Sequence, residues 1–261
     1  LLADGVPPHG ILAFTFTNRA AREMRARIAA AVGEVARELW VGTFHATCVR
    51  LLRREAEAAG VPRDFAIYDR DDQEGVVRGL VRRLELSEEA YRVGVVLGRI
   101  SDAKNALVSP AEFARVAANP YEKRLAELYG LYQRELAANG ALDFDDLIGR
   151  TVRLLRERPD VAERYGRRFL HVLVDEYQDT NHAQFRLVQA LSAVHGNVFV
   201  VGDDDQSIYG WRGADLSNVL DFERAFPGAK VLRLEQNYRS TGNILAAANA
   251  VIAHNRARKG K

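Results

Sequence analysis

The chain has 261 residues, 48% hydrophobic and 28% charged, with a net charge of +2, which predicts a mildly basic globular protein with one or two cores. Cys48 is the single cysteine, which excludes an intramolecular disulfide and a zinc site made of several cysteines. No apolar run reaches membrane-spanning length and no signal-peptide pattern opens the chain, so the sequence predicts a cytoplasmic protein that does not enter membranes.

Strand and helix patterns alternate at the start of the chain. Residues 11–16 predict a strand, and Asn18 follows in a position to cap a helix. Residues 39–43 predict the next strand. The first helix has an apolar face formed by Ala21, Met24, Ile28 and Val32, and the second has one formed by Cys48, Leu51 and Leu52.

Between residues 66 and 158 the apolar spacing is helical throughout. Ser-Pro-Ala-Glu at 109–112 predicts a capping box with proline at the first helical position. Strand patterns then return at residues 170–174, 197–201 and 229–234. The sequence therefore predicts an α/β domain with a parallel sheet, interrupted by an all-helical insert.

Two acidic residues, Asp175 and Glu176, come directly after the strand predicted at 170–174. Adjacent carboxylates at the end of a buried strand are costly unless a cation lies opposite. They suit a Mg²⁺ ion on nucleotide phosphates, with the second acid as a base for water. Alternatively, an acid here caps the helix predicted to follow. Asp179 or Thr180 is better placed for that cap, which leaves Asp175 and Glu176 unexplained.

A polar loop follows the strand predicted at 197–201. Gln206 in this loop can donate to a phosphate oxygen while it accepts from water, as a sensor of the γ-phosphate must. Tyr209 and Trp211, with Arg212 beside them, lie roughly 10 to 18 Å further along an extended chain, within reach of a stacked base. The alternative for both aromatic residues is a hydrophobic plug in the core.

Five short segments share their residues with one known family. They are AFTFTNRAAREM (13–24), GTFHA (42–46), DEYQD (175–179), GDDDQSIYGWRGA (202–214) and QNYRST (236–241). In this order they resemble helicase motifs Ia, Ib, II, III and IV of the UvrD/PcrA/Rep family of superfamily 1 DNA helicases. The segments extend across nearly the whole chain, so chance agreement is not a serious alternative.

The resemblance implies a RecA-like P-loop NTPase fold whose parallel sheet is interrupted by an all-helical subdomain. It places the first RecA-like domain at 1–65 and 159–239, the helical insert at 66–158, and the start of a connection to a second RecA-like domain at 240–261. The implied cofactors are ATP and Mg²⁺.

The resemblance also implies roles at the nucleotide. Asp175 would bind Mg²⁺ and Glu176 would act as the general base, while Gln206 would sense the γ-phosphate. Arg239 would reach the γ-phosphate as a stabilising guanidinium, and Tyr238 would stack on the adenine. The alternative for Arg239 is a surface salt bridge that contributes little.

Further residues are implied to contact DNA. Phe16, Tyr209 and Trp211 would stack on the bases of a single strand. The backbone and bases would be held by Asn18, Arg19, His45 and Arg212. A structural role for His45 is an equal alternative. Lys104 and Asn105 in the insert would either meet duplex DNA or form an exposed helix end.

No lysine of the chain closes a G-x-x-x-x-G-K-[ST] loop, so the phosphate-binding loop of the family is absent from these 261 residues. We therefore expect an internal fragment, inactive alone, of a helicase. By resemblance the helicase moves 3′ to 5′ on single-stranded DNA and unwinds duplex in repair or replication restart. The expected partners are single-stranded DNA, single-strand to duplex junctions, and repair or replication proteins. The alternative is a non-catalytic module that binds single-stranded DNA.

Overall fold

The computed structural model describes residues 1–210 and 213–254. Its strands are β1 (Ile11–Thr15), β2 (Trp40–Thr43), β3 (Ala66–Tyr68), β4 (Ala141–Asp143), β5 (His171–Val174) and β6 (Val198–Val200). Four strands form a parallel sheet in the order β2-β1-β5-β6, and β3 and β4 form a separate parallel pair. The predicted α/β fold with a parallel sheet is confirmed.

Helices surround the larger sheet and make up most of the insert. The first part of the chain contains α1 (Asn18–Val32), α2 (Phe44–Arg54) and α3 (Ala56–Ala59). The insert contains α4 (Arg70–Arg83), α5 (Val93–Asn105), α6 (Pro110–Val116), α7 (Pro120–Ala138) and α8 (Phe144–Glu157). The remainder contains α9 (Pro159–Arg168), α10 (His182–Ser192), α11 (Ser217–Leu220), α12 (Phe222–Ala225) and α13 (Gly242–Ile252). Within the described ranges, every helix is too short or too polar to cross a membrane.

The main core lies between β1 and the helices that cover the sheet. All five residues of β1 are buried, as expected for an interior strand of a parallel sheet. Phe14 stacks on Phe44 of α2 with 4.3 Å between ring centroids, and Phe16 approaches the same ring at 5.6 Å. Phe14 and Phe16 therefore lie on the same side of the strand, as side-chain alternation along a strand requires.

The insert has its own core, formed by buried faces of α4, α5 and α7. Two of its segments are strands, β3 and β4, so the prediction of an all-helical insert was wrong at these positions. A strand of three residues is too short to produce a clear alternating pattern in the sequence. Helix α8 packs in the main core, to which its buried residues Leu147, Val152 and Leu154 belong, and it also contacts α5 of the insert.

The strand predicted at 229–234 is not formed, and this prediction was wrong. Val231, Leu232 and Leu234 lie largely in solvent, the last with 88% of its surface exposed. Residues of high strand propensity form a strand only where a neighbouring strand pairs with their backbone groups. Among the described residues, none pairs with this segment in a sheet.

Two helix caps differ from those predicted. Thr17, not Asn18, caps α1, because its Oγ1 accepts a hydrogen bond from the Ala20 amide at 3.0 Å. Asn181, not Asp179 or Thr180, caps α10 in a capping box with Gln184. The predicted capping box of Ser109 and Glu112 is confirmed. The capping residues were not predicted because several consecutive polar residues precede each helix. Only the backbone geometry decides which of them caps the helix.

Candidate functional site

The carboxyl ends of the four parallel strands lie along one edge of the larger sheet. At this edge, Asp175 after β5 donates its backbone N–H to Phe14 of β1 at 3.0 Å. Tyr177 donates its backbone N–H to Val201, the residue after β6, at 2.9 Å. Open parallel sheets bind ligands outside the carboxyl ends of their strands. The predicted residues that follow β1, β2, β5 and β6 are thus brought to the edge where a ligand is expected.

The turn after β5 concentrates negative charge. Glu176 has a left-handed backbone, with φ of 51°, and its side chain is exposed. Burial, followed by the charge of Glu176, raises the pKa of the Asp175 carboxyl above its usual value, and the same causes raise the pKa of Asp179. Within the described ranges, none of these three acids forms an ion pair with a lysine or arginine. Neighbouring carboxylates without a basic partner can serve as oxygen ligands of a divalent cation.

Gln178 links this turn to the loop after β6. Its side chain is 1% exposed, and its Nε2 donates to Glu176 Oε2 at 2.8 Å. Its Oε1 accepts from the Asp203 backbone N–H at 3.1 Å. Gly202 makes room for this contact, because a Cβ there would lie 2.9 Å from Gln178 Oε1. The role of Gln178 was not predicted from the sequence, because Asp203 lies 25 residues further along the chain.

The loop that contains Gln206 is organised by Asp203. The Asp203 carboxylate accepts from Gln206 Nε2 at 2.7 Å and from the Asp205 backbone N–H at 3.1 Å. One carboxylate oxygen from each of Asp203, Asp204 and Asp205 lies within 4.8 Å of the others. Such acidic groups are common without a bound ion. Gln206 is exposed, so its amide lies on the solvent side of the loop at this edge.

Tyr238 and Arg239 are not brought to this edge. Tyr238 is 92% exposed, and the segment is shaped by Asn237, whose Oδ1 accepts from the backbone N–H groups of Arg239 and Ser240. In the part of the chain that the structure describes, no hydrogen bond or ion pair joins Tyr238 or Arg239 to Asp175 or to Gln206.

The predicted DNA-contacting residues lie at the ends of β1 and β2. Phe16 is half-buried, whereas Asn18 and Arg19 are exposed in the first turn of α1. These strands are neighbours, with Thr15 in register with Thr43, so the first turn of α2 lies next to Phe16. Residues Trp211 and Arg212 lie outside the described residues, and Tyr209 before them is exposed at the surface.

His45 lies in that first turn of α2. Its ring packs edge-on against Phe144 of α8 at 5.5 Å between centroids. Burial lowers the pKa of His45, so the imidazole is neutral at pH 7. A neutral ring can donate one hydrogen bond to a phosphate or a base, and both predicted roles of His45 are compatible with this position.

Comparison with known proteins identifies the family. The model of the UvrD/REP helicase N-terminal domain matches residues 1–227. This chain belongs to that family. It is 49% identical over 256 residues to the ATP-dependent DNA helicase PcrA of Bacillus subtilis (strain 168), covering 98% of this chain and 35% of that protein. It is 51% identical over 252 residues to the ATP-dependent DNA helicase PcrA of Leuconostoc citreum, covering 96% and 34%.

The chain spans about a third of the length of these curated relatives, 35% and 34% of them respectively. The family predicted from the five motifs is confirmed, and with it the RecA-like fold.

Within this UvrD/REP domain, Lys104 is neither an exposed helix end nor free to meet duplex DNA. It is 6% exposed, and its Nζ lies 2.6 Å from Asp143 Oδ2 and 3.0 Å from Asp146 Oδ1. Tyr132 also donates its hydroxyl to Asp143 Oδ2, at 2.8 Å. The sequence interpretation of Lys104 was wrong because its acidic partners follow about forty residues later, beyond the reach of local patterns.

Asn105 connects the insert to the helix that follows the acidic turn. Its Nδ2 donates to Asp145 Oδ1 at 3.3 Å, and its Oδ1 accepts from Asn181 Nδ2 at 2.7 Å. Asn181 is the cap of α10, which begins three residues after Asp179. A hydrogen-bonded path therefore runs from the insert to Asn181, two residues after the end of the DEYQD segment.

Proposed function

We propose that this chain is the part of an ATP-dependent DNA helicase that binds nucleotide and single-stranded DNA along one edge of its sheet. The observation that carries the proposal is the Gln178 bridge. It joins an acidic turn suited to Mg²⁺ and water, at Glu176, to the Asp203 loop that leads to Tyr209. Membership of the UvrD/REP family and the names of the PcrA relatives support it.

In the proposed reaction, Glu176 orients a water molecule and accepts its proton as the oxygen attacks the γ-phosphorus, and ADP leaves. Asp175 would hold Mg²⁺, which supplies charge neutralisation at the terminal phosphates. Gln206 would contact the γ-phosphate from the loop. We propose that Tyr238 and Arg239 meet the adenine and the γ-phosphate after their exposed segment moves toward this edge.

For DNA, we propose that Phe16, Tyr209 and Trp211 stack on bases. Backbone and bases would be held by Asn18, Arg19, His45 and Arg212. The enzyme would move 3′ to 5′ on single strands, act at single-strand to duplex junctions, and serve repair or replication restart in the cytoplasm.

Glu176→Gln in the complete protein tests the catalytic assignment. Glutamine cannot accept the proton but can still accept the hydrogen bond from Gln178, so the loop should keep its position. We expect DNA-stimulated ATP hydrolysis to fall by about 10² to 10⁴-fold, while oligo-dT affinity stays within about twofold. Steady-state ATPase assays and fluorescence anisotropy measure both quantities.

Glu163→Gln is the matched control, because Glu163 pairs with Arg167 on an exposed helix face. It should leave both quantities unchanged. Near-normal turnover in the Glu176→Gln variant would overturn the assignment of Glu176. Oligo-dT binding by a wild-type protein that shows no ATP turnover would instead favour a non-catalytic binding module. Strand displacement from 3′-tailed and 5′-tailed duplexes measures the direction of movement.

A further inference from the structure

Three guanidinium groups surround one buried indole at the start of β2. Trp40 is 3% exposed, and the Arg50 guanidinium lies over its ring at 3.7 Å from the centroid. The guanidinium groups of Arg54 and Arg168 lie 5.1 Å and 5.3 Å from the same centroid. These distances are typical of cation–π contacts, which hold the groups in place without neutralising their charge.

Among the described residues, no acidic side chain neutralises the positive charge of these three guanidinium groups. Arg50, Arg54 and Arg168 form no ion pair within the described ranges, and the buried Arg168 Nε has no hydrogen-bond partner there. Glu55, the next acid along the chain, is engaged by Arg164 at 2.6 Å and by the Tyr165 hydroxyl. Burial and then the charges of Arg54 and Arg168 lower the pKa of Arg50. Like charges in such proximity favour an anion between them.

An open cavity of about 270 Å³ adjoins the indole on the outer side of β2, the edge strand of the sheet. Arg25, Arg37 and Arg50 line it, together with the nearly buried Thr47. Arg25 is oriented by two hydrogen bonds to the Val41 carbonyl, at 2.7 Å and 3.0 Å. We call this cavity and the three guanidinium groups around Trp40 the arginine cleft.

The arginine cleft continues the surface that carries the predicted DNA contacts. Trp40 lies three residues before the end of β2, a distance of roughly 10 Å along the strand. One exposed stripe of α2, with residues Ala46, Arg50 and Arg54 spaced by one helical turn, leads from the His45 end of the strand into the cleft.

We propose that the arginine cleft binds backbone phosphates of the DNA strand beyond the bases held near Phe16 and His45. The inference rests on the proposed DNA-binding function. A guanidinium stacked flat on an indole presents its N–H edge outward, and that edge matches a phosphate in a bidentate manner. The contact would be independent of DNA sequence and sensitive to salt. This contact would hold the DNA strand beyond Phe16 and His45 while the enzyme moves along it.

The test uses the complete protein and oligo-dT in lengths from about 4 to about 16 nucleotides. The dissociation constant is measured by anisotropy against salt concentration for the wild type, Arg50→Gln and Arg50→Lys. We expect Arg50→Gln to reduce the log–log salt slope by about 0.7, the value for one single-strand phosphate contact, on long oligonucleotides only. Arg50→Lys keeps the charge and should keep most of the slope.

Arg53→Gln is the matched control, because Arg53 is on the same helix but faces Phe65, at 5.4 Å from that ring. It should leave the slope unchanged. Equal slopes for Arg50→Gln and wild type, or an equal loss at every oligonucleotide length, would overturn the cleft proposal and leave the DNA function standing. A cleft that binds an acidic protein segment instead would give equal slopes. Absence of salt-dependent oligo-dT binding at all lengths would refute the DNA function itself.

Discussion

Gln178 is the side chain on which the geometry at the carboxyl ends of β5 and β6 depends. It is buried, donates to Glu176 and accepts from the backbone of Asp203, so each end of its amide is used. Loss of one partner in such a buried pair leaves an unsatisfied group at a cost of about 1–3 kcal/mol. The amide therefore keeps the carboxylate of Glu176 and the Gln206 loop in fixed relation.

We expect Gln178→Met to weaken coupling between nucleotide and DNA. Methionine keeps the length and buried volume of the side chain but makes neither hydrogen bond. In coupled sites, one ligand typically changes the affinity for the other by roughly 5- to 150-fold. We expect the ratio of oligo-dT affinities with and without an ATP analogue to fall toward one in the variant. Anisotropy titrations with and without a non-hydrolysable ATP analogue give the factor.

A surface glutamine provides the comparison for this variant. Within the described residues, the one side-chain hydrogen bond of Gln189 comes from Arg186 on the same helix, and Gln189→Met should leave the coupling factor unchanged. An unchanged factor in Gln178→Met would show that the Glu176 turn and the Asp203 loop communicate by another route.

At the scale of elements, α5, α8 and α10 meet at a polar junction. Lys104 of α5 is buried against Asp143 and Asp146 at the start of α8, and Asn105 reaches the cap of α10. Removal of one partner from a buried ion pair is strongly destabilising, by about 3–5 kcal/mol. The junction therefore fixes the orientation of the insert relative to the acidic turn.

Asp145 at this junction makes stability depend on pH. Burial, and then the charge of Asp143, raises the pKa of Asp145 to about 6 from its ordinary value of 3.8. The folded state binds a proton at Asp145 more tightly than the unfolded state does. The stabilisation that this proton provides is complete below pH 3.8 and is lost as the pH rises through 6. We expect Asp145→Asn to stabilise the protein by about 1–3 kcal/mol at pH 8 and progressively less toward pH 5.

Thermal unfolding midpoints of the complete protein between about pH 5 and pH 8 measure this dependence. Asp160→Asn is the control. The hydrogen bond from Arg158 lowers the pKa of Asp160, so its carboxyl is ionised in both the folded and the unfolded state between about pH 5 and pH 8, and the difference in stability between this variant and wild type should be constant over that range. A difference between Asp145→Asn and wild type that is constant with pH would contradict the prediction.

At the scale of the whole molecule, the two edge strands of the larger sheet, β2 and β6, differ in the side chains around them. The arginine cleft lies along the β2 edge, whereas β6 carries the exposed side chain of Phe199 and is followed by the exposed Val201. Exposed apolar strand edges favour association with other chains. The insert core, formed by α4, α5 and α7, is independent of this edge.

We expect residues 1–261, expressed alone, to bind nucleotide poorly and to show no ATP hydrolysis. Phosphate affinity in P-loop enzymes comes largely from backbone N–H groups and one lysine, and these 261 residues contain no such loop. The acidic turn alone repels nucleotide. ATPase assays with and without oligo-dT test this, and DNA-stimulated turnover by a pure sample would contradict it.

The same sample tests relative stability. Hydrogen exchange should find the highest protection in the insert, residues 66–158, and lower protection near β6. Uniform protection over both cores would show that the exposed β6 edge costs the isolated chain little.

The sequence by itself determined the family, the four strands of the larger sheet and the order of the five family motifs. Strand β5 and the position of Asp175 directly after it could be predicted, because an apolar run followed by two acids is a local pattern. The motifs that identify the family are likewise continuous stretches of a few residues. Such features depend on near neighbours in the chain, which a sequence shows directly.

Only the tertiary structure decided which distant residues meet. Lys104 with Asp143, Asn105 with Asn181, and Arg168 with Trp40 are joined across long stretches of chain. Likewise, residues 229–234 have strand-forming side chains but no partner strand among the described residues, so they remain irregular. Pairing and burial depend on what the fold places opposite a residue, and local periodicity carries no information about that.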